Sequence, residues 1–264
     1  MNIVTDVRRA LSSEIFKLKH SSVVVTVVIL PLVLTFTMNF LLPLLMGGSS
    51  PFSFTRNAWA TAMVGMLGLW GFFQIFVVAI VTAQIGGMEH SNNTWKHLYA
   101  LPVSRKAIYL AKVLVSFGLF GASSLTLLGS VMVSGFLANL IKPELGFSAA
   151  IPWGDLLTVL AINYLASWLM ITIHAWAGVH WHSFAPAMGL SMIAFLINMF
   201  ITGREDIQRI FPWTLPVNFF VAGLNLSGDL IRPEVALSSV SLSLIASVVV
   251  VAFSGWMLAR RDVI

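Results

Sequence analysis

Long apolar runs alternate with short polar stretches along this chain. Six runs reach or approach the ~20 residues that carry a helix across hydrocarbon. They cover 22–46, 60–85, 107–137, 155–177, 184–202 and 238–259. Each predicts a transmembrane helix. Pro31 and Pro43 fall in the first run and predict a kink there, which membrane helices tolerate. The third run exceeds what a bilayer needs, so it tilts or projects below Lys112.

The pattern differs in three places. Residues 1–20 have a helical period, with Val4, Val7, Leu11, Ile15 and Leu18 on one stripe. Arg8, Arg9, Glu14, Lys17 and Lys19 lie off it. This predicts an amphipathic helix lying in the interface, with its cations near lipid headgroups; the alternative is a plain tail. Residues 203–237 are half apolar but broken by Pro212, Pro216 and Gly223. They predict an external re-entrant or interfacial segment that does not span, because broken backbone at membrane depth must be shielded by protein. The third place is Glu89 to Lys112, EHSNNTWKHLYALPVSRKAIYLAK. Thr94 can cap a helix whose one face carries Trp95, Leu98 and Tyr99. Pro102 ends that helix, and Ser104 can cap the next, with Arg105, Lys106 and Lys112 at its foot. A helix of this kind between two spans suits docking of a soluble partner; the plainer alternative is an interfacial loop anchored by aromatics.

Two divisions result: 1–21, an interfacial helix, and 22–264, a six-span all-α membrane domain. The Gly/Ser/Pro-rich stretch 47–59 and residues 141–153 are external turns, and Gly178 to Phe184 is a short cytoplasmic one. The composition agrees: 58% of residues are hydrophobic, 9% are charged and the mean hydropathy is +0.91. No ordinary water-soluble domain matches that. The opening is not a cleaved signal, since its apolar run starts late and is long enough to span.

Charge then sets orientation. The net charge of +5 is clustered at the ends of apolar runs, which orients a membrane protein and does not describe a nucleic-acid surface. Ten Lys and Arg residues (8, 9, 17, 19, 96, 105, 106, 112, 260, 261) fall on the side of the termini. Five (56, 142, 204, 209, 232) fall on the other. Both termini are therefore expected in the cytoplasm.

Candidate chemistry is sparse. With no cysteine, disulfides, thiol catalysis and thiolate metal sites are excluded. No carboxylate lies inside a span core, which argues against ion-coupled transport. The polar span residues are neutral: Asn39, Gln74, Gln84, Asn163 and Asn198. Each can make an interhelical hydrogen bond or line a substrate path. His174, His180 and His182 gather near one cytoplasmic turn without an acidic neighbour, so no metal site is expected. No catalytic set is suggested by spacing, and H-E-x-x-H, G-x-S-x-G and the phosphate loop G-x-x-x-x-G-K-[ST] are missing. If ATP drives this protein, another subunit hydrolyses it.

Four motifs carry a family resemblance. SEIFKLKHS (Ser13 to Ser21) precedes the first span, and Glu89 with Asn93-Thr94-Trp95 follows the second. LPVSRKAIYLAK (Leu101 to Lys112) enters the third, and FPWTLP (Phe211 to Pro216) precedes the last. In this order they resemble the permease subunits of type-2 ATP-binding-cassette (ABC-2) exporters. Within these they look most like the lantibiotic-immunity and bacitracin-export branch. The resemblance implies a second permease subunit, identical or related, and cytoplasmic ATPase subunits that hold ATP and magnesium. This chain would bind no cofactor. Glu89, Thr94, Trp95, Leu98 and Tyr99 would form the coupling helix, residues 1–20 the connecting helix, and His180 and His182 a second cytoplasmic contact. Substrate-path candidates would be Asn39, Gln74, Asn163 and Asn198.

Two functions follow. One is outward transport of an amphipathic peptide, antibiotic or lipid-like molecule. The other is a membrane anchor or sensor that recruits an ATPase without forming the path. An intramembrane enzyme lacks any catalytic set.

Overall fold

The computed structural model describes residues 3–19, 21–41, 45, 57–91, 103–181, 183–218 and 232–260. Among these every regular element is helical. Helix α1 (Ile3–Leu18) meets α2 (Val23–Phe36) at 64°. A π-turn (Thr37–Leu41) extends α2. Then come α3 (Ala58–Ser91), α4 (Arg105–Ile141), α5 (Trp153–Ala166), α6 (Trp168–His180), α7 (Phe184–Phe200), the one-turn α8 (Glu205–Gln208) and α9 (Pro233–Arg260).

Among the described residues four stretches are long and apolar enough to cross a bilayer: α3, α4, the α5–α6 pair and α9. The bent α1–α2 pair makes a fifth if it is counted as one span. Helix α7 is apolar but has 17 residues, the short end of what crosses hydrocarbon. Helices α3, α4 and α9 and the α5–α6 pair run past the apolar runs that predict them, whereas α2 and α7 do not. Thus α3 has 34 residues and continues to Ser91, which makes Glu89 part of that helix and not of a loop.

Hydroxyls sit inside these apolar helices because they satisfy themselves one turn back. Thr35 donates to the Pro31 carbonyl at 2.7 Å, Thr82 to Val78 at 2.8 Å and Ser116 to Lys112 at 2.8 Å. The break between α5 and α6 follows the same rule. Ser167 donates to the Asn163 carbonyl, and the Leu169 N–H finds the Ser243 hydroxyl of α9 at 3.0 Å. A neighbouring helix thereby satisfies the backbone that a kink exposes.

Helices α3 and α6 cross with backbones touching. A Cβ built on Gly86 would lie 2.0 Å from the Gly178 carbonyl oxygen, and one on Gly178 would lie 2.5 Å from that of Thr82. At the opposite end of α3, the Trp59 indole donates to the Phe147 and Ala149 carbonyls, fastening the turn after α4.

The amphipathic reading of α1 needs a correction of face. Its most buried residues are Asp6, Ala10 and Glu14, not the apolar stripe. Val7, Leu11 and Leu18 are half-buried beside them, while Ile3, Val4, Ile15 and Phe16 are exposed. The acidic edge turns inward because cationic and N–H partners wait there.

Candidate functional site

Three segments converge where α3 ends and α4 begins. Glu14 comes from α1, Glu89 from the last turns of α3 and Lys112 from the third turn of α4. Lys112 is only 1% exposed, and its ammonium donates three times: to Glu14 at 3.0 Å, Glu89 at 2.7 Å and the Ile85 carbonyl at 3.1 Å. An ammonium has three donors, and all three are used. Lys17 closes the ring, donating to the other oxygens of Glu14 at 2.7 Å and Glu89 at 2.6 Å. Two carboxylates and two ammoniums therefore alternate, and both carboxylates are almost wholly buried. Burial pulls the Lys17 ammonium down, but its bonds to Glu14 and Glu89 and their charges outweigh that and hold its pKa above the ordinary lysine value.

A second contact lies two turns earlier on α1. The Asp6 carboxylate accepts from the Ser104 N–H at 3.3 Å, where α4 begins. Ser104 is the expected cap: its hydroxyl accepts from the Ala107 N–H. Asp6 adds negative charge where the α4 dipole is positive. Between the two contacts, Ala10 packs with Ile108 and Ala111. Both ends of the 92–102 stretch are thus fixed by α1: Glu89 on one side, Ser104 and Lys112 on the other.

A family model described as ABC-2 family transporter protein matches residues 10–198. The chain belongs to that family. No curated protein matches it. Membership makes this a multi-pass membrane component of an ABC exporter that works with an ATP-binding-cassette ATPase.

In this ABC-2 protein the remaining predicted site residues are scattered. Thr94, Trp95, Leu98, Tyr99 and His182 lie outside the described residues, as does the side chain of Asn39. His180 ends α6 with its ring stacked on Trp176. Gln74 is buried, and neither end of its amide meets a partner among the described residues. Asn198 is buried near the end of α7, where its carbonyl accepts from Thr202.

Asn163 has a definite task. Its amide donates to the Pro216 carbonyl at 2.9 Å, holding the turns after α8 against the bundle. Those turns go deep: Val217 rests on Gly71 of α3, and the Trp213 indole donates to His174 Nε2 at 3.0 Å. Thr214 and Asn218 both donate to the Gln208 carbonyl, which closes the turn on itself. Of the segment expected to be external, 203–206 with Arg209 and Ile210 are exposed, and the part from Trp213 to Asn218 is packed into the bundle as a plug; 219–231 lie outside the described residues. Trp213→Phe keeps the ring and removes one buried donor, leaving His174 without it. We expect a loss of about 1–3 kcal/mol, read as a lower unfolding midpoint in detergent with the fold retained. An unchanged midpoint would show that the plug does not depend on this bond.

Sequence reasoning singled out Glu89 but missed its partners Glu14, Lys17 and Lys112. It also missed Asp6 and the Trp213–His174 pair. The signal for α1 was present: Asp6, Ala10 and Glu14 follow i, i+4, i+8 spacing, one face of a helix. Nothing local says what that face meets, since the partners are up to 98 residues away.

Proposed function

We propose that this chain is the six-span permease subunit of an exporter that moves an amphipathic peptide, antibiotic or lipid-like molecule outward. Its termini are cytoplasmic, and it pairs with a second permease subunit, identical or related. The resemblance favours the lantibiotic-immunity and bacitracin-export branch. ATP and magnesium are held by the partner ATPase, and this chain binds neither cofactor nor metal. The ATPase docks on 92–102, with Trp95, Leu98 and Tyr99 as the anchor, Thr94 as the cap and the His180–His182 turn as a second contact. Gln74, Asn163 and Asn198 face inward on separate helices, and with Asn39 they are the neutral groups available to a substrate path.

One observation above all supports this reading. The helices that flank 92–102 are both held to α1, through Glu89 and Lys112 in a buried ionic ring that joins three helices and through the Asp6 contact to the Ser104 N–H. A loop that only anchors in headgroups needs no such base, whereas a loop that takes force from a partner does.

Trp95→Ala is the test. Buried aromatic anchors dominate interface energy, so the substitution should cost about 2 kcal/mol or more of association, roughly thirty-fold in affinity. The permease should still insert and assemble. Co-purification of the ATPase with the wild-type and variant chains measures this. Equal recovery would remove the docking role and favour an aromatic loop lying in headgroups.

A further inference from the structure

We propose that Trp70, Gln74 and Asn163 form a recognition site for secondary amide groups. It lies inside a single chain, between α3, α4 and α5 and against the plug. The proposal rests on the exporter reading and names the chemistry by which cargo is held there: the peptide backbone.

Gln74 is fully enclosed, yet both ends of its amide meet no partner among the described residues. Two more enclosed groups share this. The Trp70 indole N–H, one turn earlier on α3, and Asn163 Oδ1 on α5 are also unpartnered there. Other buried polar groups of the bundle are satisfied: Thr82 and Ser116 donate one turn back, and Lys112 uses all three donors. The contrast matters because an unpaired amide in an apolar interior is worse for folding than an apolar side chain of the same size. A leucine would fill the volume of Gln74 without that penalty, so stability does not account for a glutamine at this position.

The three residues belong to one place. Trp70 stacks on Phe120 of α4 with ring centroids 6.1 Å apart. Phe120 stacks in turn on Tyr164, the neighbour of Asn163 on α5, at 6.4 Å. The plug joins the same residues from another side. Val217 rests on Gly71, which follows Trp70, and the Pro216 carbonyl accepts from the Asn163 amide. Aromatic rings therefore wall the site, and residues 216 and 217 cover it.

The unused bonds decide what fits. Trp70 offers one donor and the Gln74 nitrogen two, while Gln74 Oε1 and Asn163 Oδ1 offer acceptors. A lipid ester brings only acceptors and leaves both carbonyl oxygens unpaired. An ammonium brings only donors, together with a charge that nothing here balances. A peptide group brings both a C=O and an N–H, so it can meet both ends of Gln74.

The test reads unfolding of the full chain in detergent, with a capped amphipathic hexapeptide (N-acetylated and C-amidated) as the probe. The peptide should raise the unfolding midpoint of the native chain by mass action. Gln74→Leu should by itself raise the midpoint by about 2 °C or more, because an unpaired amide is removed. It should also weaken the peptide at least about tenfold, the loss of two ordinary hydrogen bonds. Greater stability with lost binding is the expected pair of results. An amide that merely held the fold together would give a lower midpoint on substitution. A lower or unchanged midpoint for Gln74→Leu therefore overturns the proposal. So does undiminished binding by that variant, or no binding by the native chain. The ester analogue of the same hexapeptide keeps every carbonyl and lacks the N–H groups. Equal binding of the two would assign the site to an acceptor-only ligand such as a lipid ester, and would overturn the amide assignment. Failure of the exporter reading looks different: the hexapeptide would bind through Gln74, yet ATP would not move it across liposomes that hold the chain and its ATPase.

Discussion

Lys112→Met is expected to destabilise the folded permease by about 3–5 kcal/mol, because it removes one partner of a buried ionic network and leaves the others uncompensated. The Lys112 ammonium is enclosed and satisfied by two carboxylates and the Ile85 carbonyl. Without it, Glu14 and Glu89 face one another with Lys17 alone between them. For a chain of this size the loss corresponds to a fall in unfolding midpoint on the order of 10 °C. Unfolding in detergent at a fixed scan rate reads it. Lys112→Met with Glu89→Gln should recover a substantial part, since it removes one of the two stranded charges. If Lys112→Met unfolds at the wild-type midpoint, the ring is not a buried charged network.

A second large effect is expected where α3 and α6 cross. Gly178→Ala places a methyl 2.5 Å from the Thr82 carbonyl oxygen, and Gly86→Ala places one 2.0 Å from that of Gly178. The obstructing atoms are backbone, so no side chain can rotate away and the helices must separate. Helices packed through small residues lose most of their contact when forced apart. We expect about 3 kcal/mol for either substitution, the upper end of ordinary overpacking. Gly87→Ala is the internal control. Its Cβ meets nothing within 4 Å. Replacing a helical glycine there should be neutral or stabilising by about 0.5–1 kcal/mol. Equal behaviour of Gly87→Ala and Gly178→Ala would refute the close crossing.

Both predictions concern the end of the bundle where α3 stops and α4 starts. The glycine crossing fixes α3 to α6, and the ionic ring fixes α3 to α4 and α1. The helices on either side of 92–102 are therefore braced against α1 and α6.

The sequence alone determined the helical class, the apolar segments and the start of α4 at Ser104. These depend on local quantities: the length of an apolar run, its period, and a hydroxyl that can reach an N–H three residues on. It also singled out Glu89 and the proline-broken segment around Trp213, because a carboxylate at a span end and two prolines in an apolar run conflict with their surroundings. The family motifs added the kind of partner.

Only the tertiary structure decided which face of α1 turns inward. A wheel of α1 offers two competing faces, one apolar and one bearing Asp6, Ala10 and Glu14. At a membrane surface the apolar face has lipid as an alternative, whereas buried acids need specific donors. Those donors, Lys112 and the Ser104 N–H, come from a helix some 98 residues further along the chain. The same holds for Lys112 itself. By position it looks like a cation at a membrane boundary, yet it is enclosed because three segments meet there. Trp213 finding His174, and Gly86 meeting Gly178, are likewise properties of where helices cross, and no period or composition within one helix encodes its crossing point.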